Sequence, residues 1–93
     1  MAIQHKDNGE KGKFYVAVAG KTEAEITYVW SGEKRIIIDH TGVSEALKGQ
    51  SIGKQLVHAA VAFAREKQLK ILPLCPFARA VFEKTPDYQD VLF

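Results

Sequence analysis

The feature that most restricts this chain is a change of hydrophobic period near residue 50. Before it, apolar residues alternate; from Ile52 onward they recur every three or four positions. In KFYVAVA the residues Phe14, Val16 and Val18 share one face, and in AEITYVW the residues Ala24, Ile26, Tyr28 and Trp30 do. Glycine-centred turns separate these runs, AGKT at 19–22 and SGEK at 31–34. RIIIDHTGV supplies a third strand, whose unbroken Ile36, Ile37 and Ile38 predict burial on both faces. Three strands joined by short turns read as an antiparallel meander. The helical period then predicts a helix over about 53–68, with Leu56, Val57, Ala60, Val61 and Ala64 inward. Lys54, His58, Arg65 and Glu66 take its other face.

LKILPL (69–74) reads as a further buried strand, ended by Pro73 and Pro76, and FARAVFEK (77–84) as a short helix stopped by Pro86. A strand, a long helix and another strand form a crossover, which places the two strands side by side and parallel. The fold class is therefore α+β, a mixed sheet with an antiparallel N-terminal meander and a βαβ crossover. Residues 1–12, rich in Lys, Gly, Asp and Asn, read as a frayed lead-in.

Composition narrows the class of function. The 93 residues suit one domain over 1–93, and 46% apolar with 26% charged residues argues against disorder. No apolar run approaches the roughly 20 residues of a membrane span, and MAIQHKDNGEKGKF lacks the apolar core of a secretory signal. No membrane partner is expected. A single cysteine cannot close an internal disulfide, so a cytoplasmic location is expected. The net charge of +2 is too balanced for general nucleic-acid binding, and three scattered histidines with one cysteine offer no metal spacing. A nucleic-acid surface on Phe14, Tyr28 and Trp30 is the weakest alternative, since Glu23, Glu25 and Glu33 surround those aromatics.

The loop that opens the helix, LKGQSIGKQL, carries the clearest chemistry. Unpaired N–H groups at a helix N-terminus attract anions, and glycine lets a phosphate approach the backbone closely. Ser51 is placed to cap the helix or to offer its hydroxyl, and Lys48 and Lys54 add charge. A P-loop is excluded, because Gly49 and Gly53 are one residue too close and Gln55 replaces the hydroxyl residue after Lys54. A dinucleotide fingerprint is excluded too, with two glycines after a meander. Turning the chain and packing the helix against the sheet is the competing explanation of both glycines.

From residue 36 to about 92 the sequence resembles the GNAT superfamily of acyl-CoA N-acyltransferases. Lys48-Gly49-Gln50-Ser51-Ile52-Gly53 is similar to its acyl-CoA motif, with Lys48 in place of Arg or Gln and Ser51 in place of a glycine. HTGVSEALKGQSIG followed by LPLCPFARAVFEKTPDYQDVL resembles a small single-domain subfamily with His-Thr-x-Val and Pro-x-Cys-Pro-Phe. The resemblance implies a GNAT-like sheet, acetyl-CoA as cosubstrate and a primary amine as acceptor, small or on a peptide or protein. It implies pantetheine along the third strand at Thr41, Gly42 and Val43, and pyrophosphate on Lys48, Gly49, Gln50, Ser51, Ile52, Gly53 and Lys54.

Larger members of the superfamily carry a tyrosine in the helix after the fourth strand; here that position is Phe82, and an asparagine position is Cys75. Cys75 and Phe82 are therefore expected beside the thioester. Cys75 could return a proton to the leaving thiolate, act as a nucleophile, or simply be a small buried side chain. His40 is the candidate base, or else a residue that fixes Thr41 or a loop carbonyl. It follows Asp39, and strict alternation would turn the two to opposite faces. Tyr88 and Trp30 could line the acceptor site or belong to the core, His5 and His58 read as surface residues, and Glu45 as a balance for Lys48. Gly42 stands where related small members carry an acid. The rival to an enzyme is a binding module on the same fold, favoured by Phe82, Ser51 and Gly42. Monomer and homodimer are both compatible with the sequence.

Overall fold

The computed structural model describes residues 2–93. Five strands form one sheet in chain order: β1 (Gln4–Asp7), β2 (Lys11–Val18), β3 (Lys21–Trp30), β4 (Arg35–Val43) and β5 (Lys70–Pro73). The first four are antiparallel and β5 runs parallel to β4. Helix α1 (Ile52–Lys67) makes the crossover, α2 (Pro76–Lys84) follows β5, and 3-10 turns occupy Glu45–Leu47 and Pro86–Val91. This is the meander with a parallel crossover that the periodicity predicts.

Helix α1 owes its place to one stripe: Leu56, Val57, Ala60, Val61 and Ala64 are all fully buried against β2, β3 and β4. Removing a Leu or Val side chain of this kind from water stabilises the fold by about 1.5–3 kcal/mol. The helix ends at Gln68 in the left-handed conformation, with Arg65 and Lys67 in its last turn, where positive charge favours the dipole. Helix α2 adds Ala78, Val81 and Phe82 to the same cluster of buried side chains.

Three expectations need correction. Ile36 and Ile38 are fully buried, but Ile37 is half-exposed, because no helix covers the opposite face of β4. Val18 is exposed, since the register of β2 on β3 shifts between Val16 and Ala17 and breaks the alternation. The N-terminal residues are not a frayed lead-in: Gln4–Asp7 pairs with β2 as an edge strand.

What holds β1 is a polar network that composition does not reveal. The Tyr28 hydroxyl donates to Asp7 Oδ2 at 2.6 Å and Trp30 Nε1–H donates to the same oxygen at 2.8 Å. Since the phenol proton goes to the carboxylate, the 2.7 Å contact between His5 Nε2 and Tyr28 is a donation from the imidazole. The His5 ring also stacks flat on Phe14, 4.1 Å between centroids, and meets Phe63 of α1 edge-on. Gly12 makes room for the network, because any Cβ there would overlap the Tyr28 phenol oxygen. Phe14 and Tyr28 are thus core residues, and the aromatic face considered for nucleic acid lies under α1. His5 is exposed, as read from the sequence, and its ring also belongs to this network.

Burial holds the His5 imidazole below its ordinary value of 6.5, and the Asp7 charge offsets this only in part. Burial pushes the Asp7 carboxyl up, but hydrogen bonds from Tyr28, Gly9 N–H and Trp30 outweigh it and leave Asp7 below its ordinary value. Both groups therefore bind protons better in the unfolded chain, so their stabilisation is present at high pH and is lost on acidification. For His5 the loss begins as pH falls through about 6.5. Urea midpoints at pH 7.5 and 5.5 should show the wild type losing stability over that interval and His5→Gln losing less.

Candidate active site

Between β4 and the start of α1 lies an open cleft of about 380 Å³. Its walls are Thr41, Val43, Leu47, Lys48, Gly49, Ser51, Ile52, Gly53, Lys54 and Phe77. Most of the loop residues singled out in the sequence meet here, together with two residues of the third predicted strand. The loop backbone is exposed in the chemical sense as well: among the described residues, the N–H groups of 49–54 find no protein acceptor. The helical ladder begins only with Gln55 N–H on the Ser51 carbonyl. A row of free N–H groups at the positive end of a sixteen-residue helix, flanked by two lysines, suits an anion. Lys48 is held at 2.9 Å by Glu45, the balance read from the sequence.

The glycines have different reasons. Gly49 adopts φ +85°, a left-handed turn that side chains resist. Gly53 is packed instead: a Cβ there would lie 2.6 Å from the Phe77 ring of α2, so its neighbour is α2 and not the sheet. Ser51 is left-handed too, at φ 57°, and makes no capping bond. An N-cap side chain reaches the helix from extended backbone, so the expected capping role is ruled out by this dihedral. Gln50 offers its backbone; its carbonyl accepts from Gln55 Nε2 at 3.3 Å.

Strand β4 outruns its partner. Ladder pairing with β5 ends at Ile38 and Pro73, where the Ile38 carbonyl accepts from both Leu74 and Cys75 N–H at 3.0 and 3.1 Å. Beyond it, residues 39–43 pair with β3 alone. There the register slips: Thr27 pairs with His40 and Tyr28 with Ile38, leaving Asp39 as the extra residue of a bulge. Thr41 and Val43 consequently stand opposite Ile26 and Ala24, on the α1 face, while His40 and Gly42 stand opposite Thr27 and Glu25 on the other. Asp39 turns to that same far face, where it accepts from the Thr27 hydroxyl at 2.6 Å. The expectation that Asp39 and His40 diverge is thus overturned by the bulge, although no hydrogen bond joins them.

Cys75 caps α2. It is buried, its Sγ accepts weakly from Ala78 N–H at 3.4 Å, and the Thr41 hydroxyl lies 3.1 Å from the sulfur. Thr41 lines the cleft and Cys75 does not, so the thiol faces the cleft only through that hydroxyl. His40 is exposed on the opposite face, its Nε2 only 3.2 Å from where a side chain on Gly42 would begin. Gly42 borders a separate depression there, beside Glu23 and Glu25. The two candidate catalytic residues therefore lie on opposite sides of β4. Phe82, expected beside the thioester, is 2% exposed and packs edge-on to Tyr88 at 5.6 Å, in the core and away from the cleft. Trp30 belongs to the β1 network, and Tyr88 binds His58 Nδ1 at 3.0 Å. Phe77 was missed. The signal was its place, an apolar ring directly after Pro76 that stays 41% exposed beside a glycine.

A mixed sheet whose parallel pair parts beside an anion-ready helix start is the arrangement that the resemblance to the GNAT superfamily implies, and comparison with known proteins agrees. The family model for GCN5-related N-acetyl-transferase matches residues 13–91. The chain belongs to that family. It is 30% identical to Protein NATD1 of Danio rerio over 90 residues, 96% of this chain and 80% of the relative. A GCN5-like protein of Staphylococcus aureus, solved by NMR, is 44% identical with a TM-score of 0.75, covering 97% of this chain and 87% of that one. An aminoglycoside 6′-N-acetyltransferase solved with coenzyme A shares the fold, with a TM-score of 0.60 at 15% identity, over 71% of this chain and 38% of that one.

Two measurements follow from this geometry. Ser51→Gly should raise stability by about 0.5–1 kcal/mol in urea denaturation, because relief of a left-handed side chain exceeds the entropy that glycine adds to the unfolded chain. Iodoacetamide should label Cys75 at least about tenfold more slowly in the native protein than in urea, since its sulfur is reached only by local opening. A native rate equal to the unfolded rate would show that the thiol is open to the cleft.

Proposed function

We propose that this protein transfers an acetyl group from acetyl-CoA to a primary amine by direct attack. The observation that carries the reading is the convergence, in one cleft, of the unpartnered N–H groups of 49–54 with the stretch of β4 that β5 leaves free. The residues present suit coenzyme A: an anion site for its pyrophosphate, and an open β4 flank at Thr41 and Val43 for the amide groups of pantetheine. In transfer, the amine nitrogen bonds to the thioester carbon, the carbon–sulfur bond breaks, and its electron pair goes to sulfur as thiolate. An N–H of residues 41–43 aimed at the carbonyl oxygen would stabilise the charge that gathers there.

His40 suits acceptance of the ammonium proton from an amine arriving on the face away from α1, where its exposed ring lies. A proton for the thiolate would come from the Cys75 thiol, passed through the Thr41 hydroxyl 3.1 Å from it, with the Cys75 thiolate then reprotonated from solvent. The half-open far face of the sheet suits a peptide or protein amine as well as a small one, and the lone free cysteine suits the cytoplasm. A second reading, coenzyme A binding without turnover, is favoured by one observation: Phe82 is core, so its helix offers no phenol to the cleft.

Native mass spectrometry with acetyl-CoA, followed by thiol-release assays with small amines and lysine peptides, separates these readings. The expected result is a one-to-one non-covalent complex, with CoA release above the uncatalysed rate and reduced about tenfold or more in His40→Ala. A complex with no release on any amine supports the binding module. No complex at millimolar ligand overturns both.

A further inference from the structure

We propose that the face of the sheet away from α1 seats an acidic peptide, with Lys6 and Lys13 on its carboxylates and its N-terminal amine at His40. This rests on the transfer reading above, in which the amine arrives on that face. A depression of about 750 Å³ lies there over β1, β2 and β3, inside the roughly 300–1,000 Å³ range of small-molecule sites. Lys6, Lys11 and Lys13 line its β1 and β2 side, and Thr27 and Asp39 the side toward β4.

The strand register aligns these groups. Lys6 pairs with Lys13, Lys13 with Thr27, and Thr27 with His40, so four side chains form one row across four strands. Partners directly opposite in a ladder share a face, and Asp39 joins that face through its bond from the Thr27 hydroxyl. With neighbouring strands about 4.8 Å apart, Lys13 stands roughly 10 Å from His40, and Lys6 roughly 14 Å. An extended peptide advances about 3.3 Å per residue. An amine at His40 therefore brings the fourth and fifth residues of the peptide over the two lysines.

Charge selects the occupant. Lys6 and Lys13 face one another in register, a like-charge placement that costs stability, and both ammonium groups lie over the Tyr15 ring, at 5.4 and 4.8 Å. Lys13 reaches Glu25 at 3.5 Å, but among the described residues Lys6 and Lys11 have no carboxylate within ion-pairing distance. Asp7 borders the same depression, yet its Oδ2 is taken by Tyr28 and Trp30. A carboxylate from a peptide would relieve the opposed lysines. At the other end Asp39 is exposed beside His40, and among the described residues it pairs with no cation, which suits it to draw an ammonium group. A continuous run of phosphates would be repelled by Asp39 and Glu25, whereas a free amine followed by acidic side chains matches both ends of the row.

The test is fluorescence anisotropy, with and without coenzyme A, on peptides labelled at the C-terminus. One carries a free amine and glutamates at its fourth and fifth positions; the other has glutamines there. The glutamate peptide should bind about fivefold more tightly, a preference that shrinks as salt rises. Acetylating its amine should weaken binding about threefold. Lys6 is exposed on an edge strand, so its variants should fold. Lys6→Glu, which sets a carboxylate against Lys13, should abolish the preference, and Lys6→Arg should keep it. Equal binding of the two peptides, a preference that survives Lys6→Glu, or tighter binding of a single-stranded oligonucleotide overturns the inference. Thiol release from acetyl-CoA on small amines, with no peptide preference, likewise overturns it and leaves the transfer reading standing. A peptide preference with no thiol release on any amine does the reverse.

Discussion

The site depends on where one carbonyl spends its hydrogen bonds. Ile38 C=O takes two donors at the end of β5, from Leu74 and Cys75 N–H, and β5 has nothing further to give to β4. The chain then turns into α2 at Pro76, whose missing N–H fits a helix start. Strand β4 continues for five residues with a single partner, and its free flank faces the beginning of α1. Three separate features are consequences of that one termination: the open flank, the burial of Cys75 as the cap of α2, and the approach of Phe77 to Gly53.

The bulge at Asp39 supplies the second half of the geometry. Without it, Thr41 would follow the parity of Asp39 and turn away from α1, and the hydroxyl could not meet Cys75. One additional residue moves Thr41 and Val43 onto the cleft side and sends His40 to the other. In the transfer we propose, that separation would let the amine arrive from the His40 face and the thiolate depart on the face of Thr41 and Cys75.

Much of this was legible in the sequence. Period-two and period-3.6 runs gave the order of elements from Lys13 onward, because burial on one face writes itself into both patterns. The place of the loop was legible because the change of period marks where α1 begins, but the residues alone left open whether its glycines turn the chain or seat an anion. What could not be read depends on partners distant in sequence. Polar β1 looks unstructured until Asp7 meets Tyr28 and Trp30, 21 and 23 residues away. The Asp39 bulge has no local signature, and it decides which face His40 takes. Phe82 was placed by analogy with a tyrosine position; the structure places it by its own chemistry, in the core. Residues 36–38 show the limit of composition, since three adjacent isoleucines differ in exposure simply because helices cover one face.

The loop also shows why a structural and a functional explanation of a motif need not compete. Gly49 is required by its dihedral, and Gly53 by the ring of Phe77 on its surface. Neither reason mentions a ligand. Yet the conformation these residues permit is what leaves six consecutive N–H groups without acceptors among the described residues, beside two lysines. Ser51 sharpens the point: its left-handed backbone is a position glycine would occupy at lower cost, and among the described residues its hydroxyl makes no capping bond. The packing that fixes this loop is thus the same packing that exposes it, and the contact of α2 on Gly53 ties its shape to the helix that is capped by Cys75.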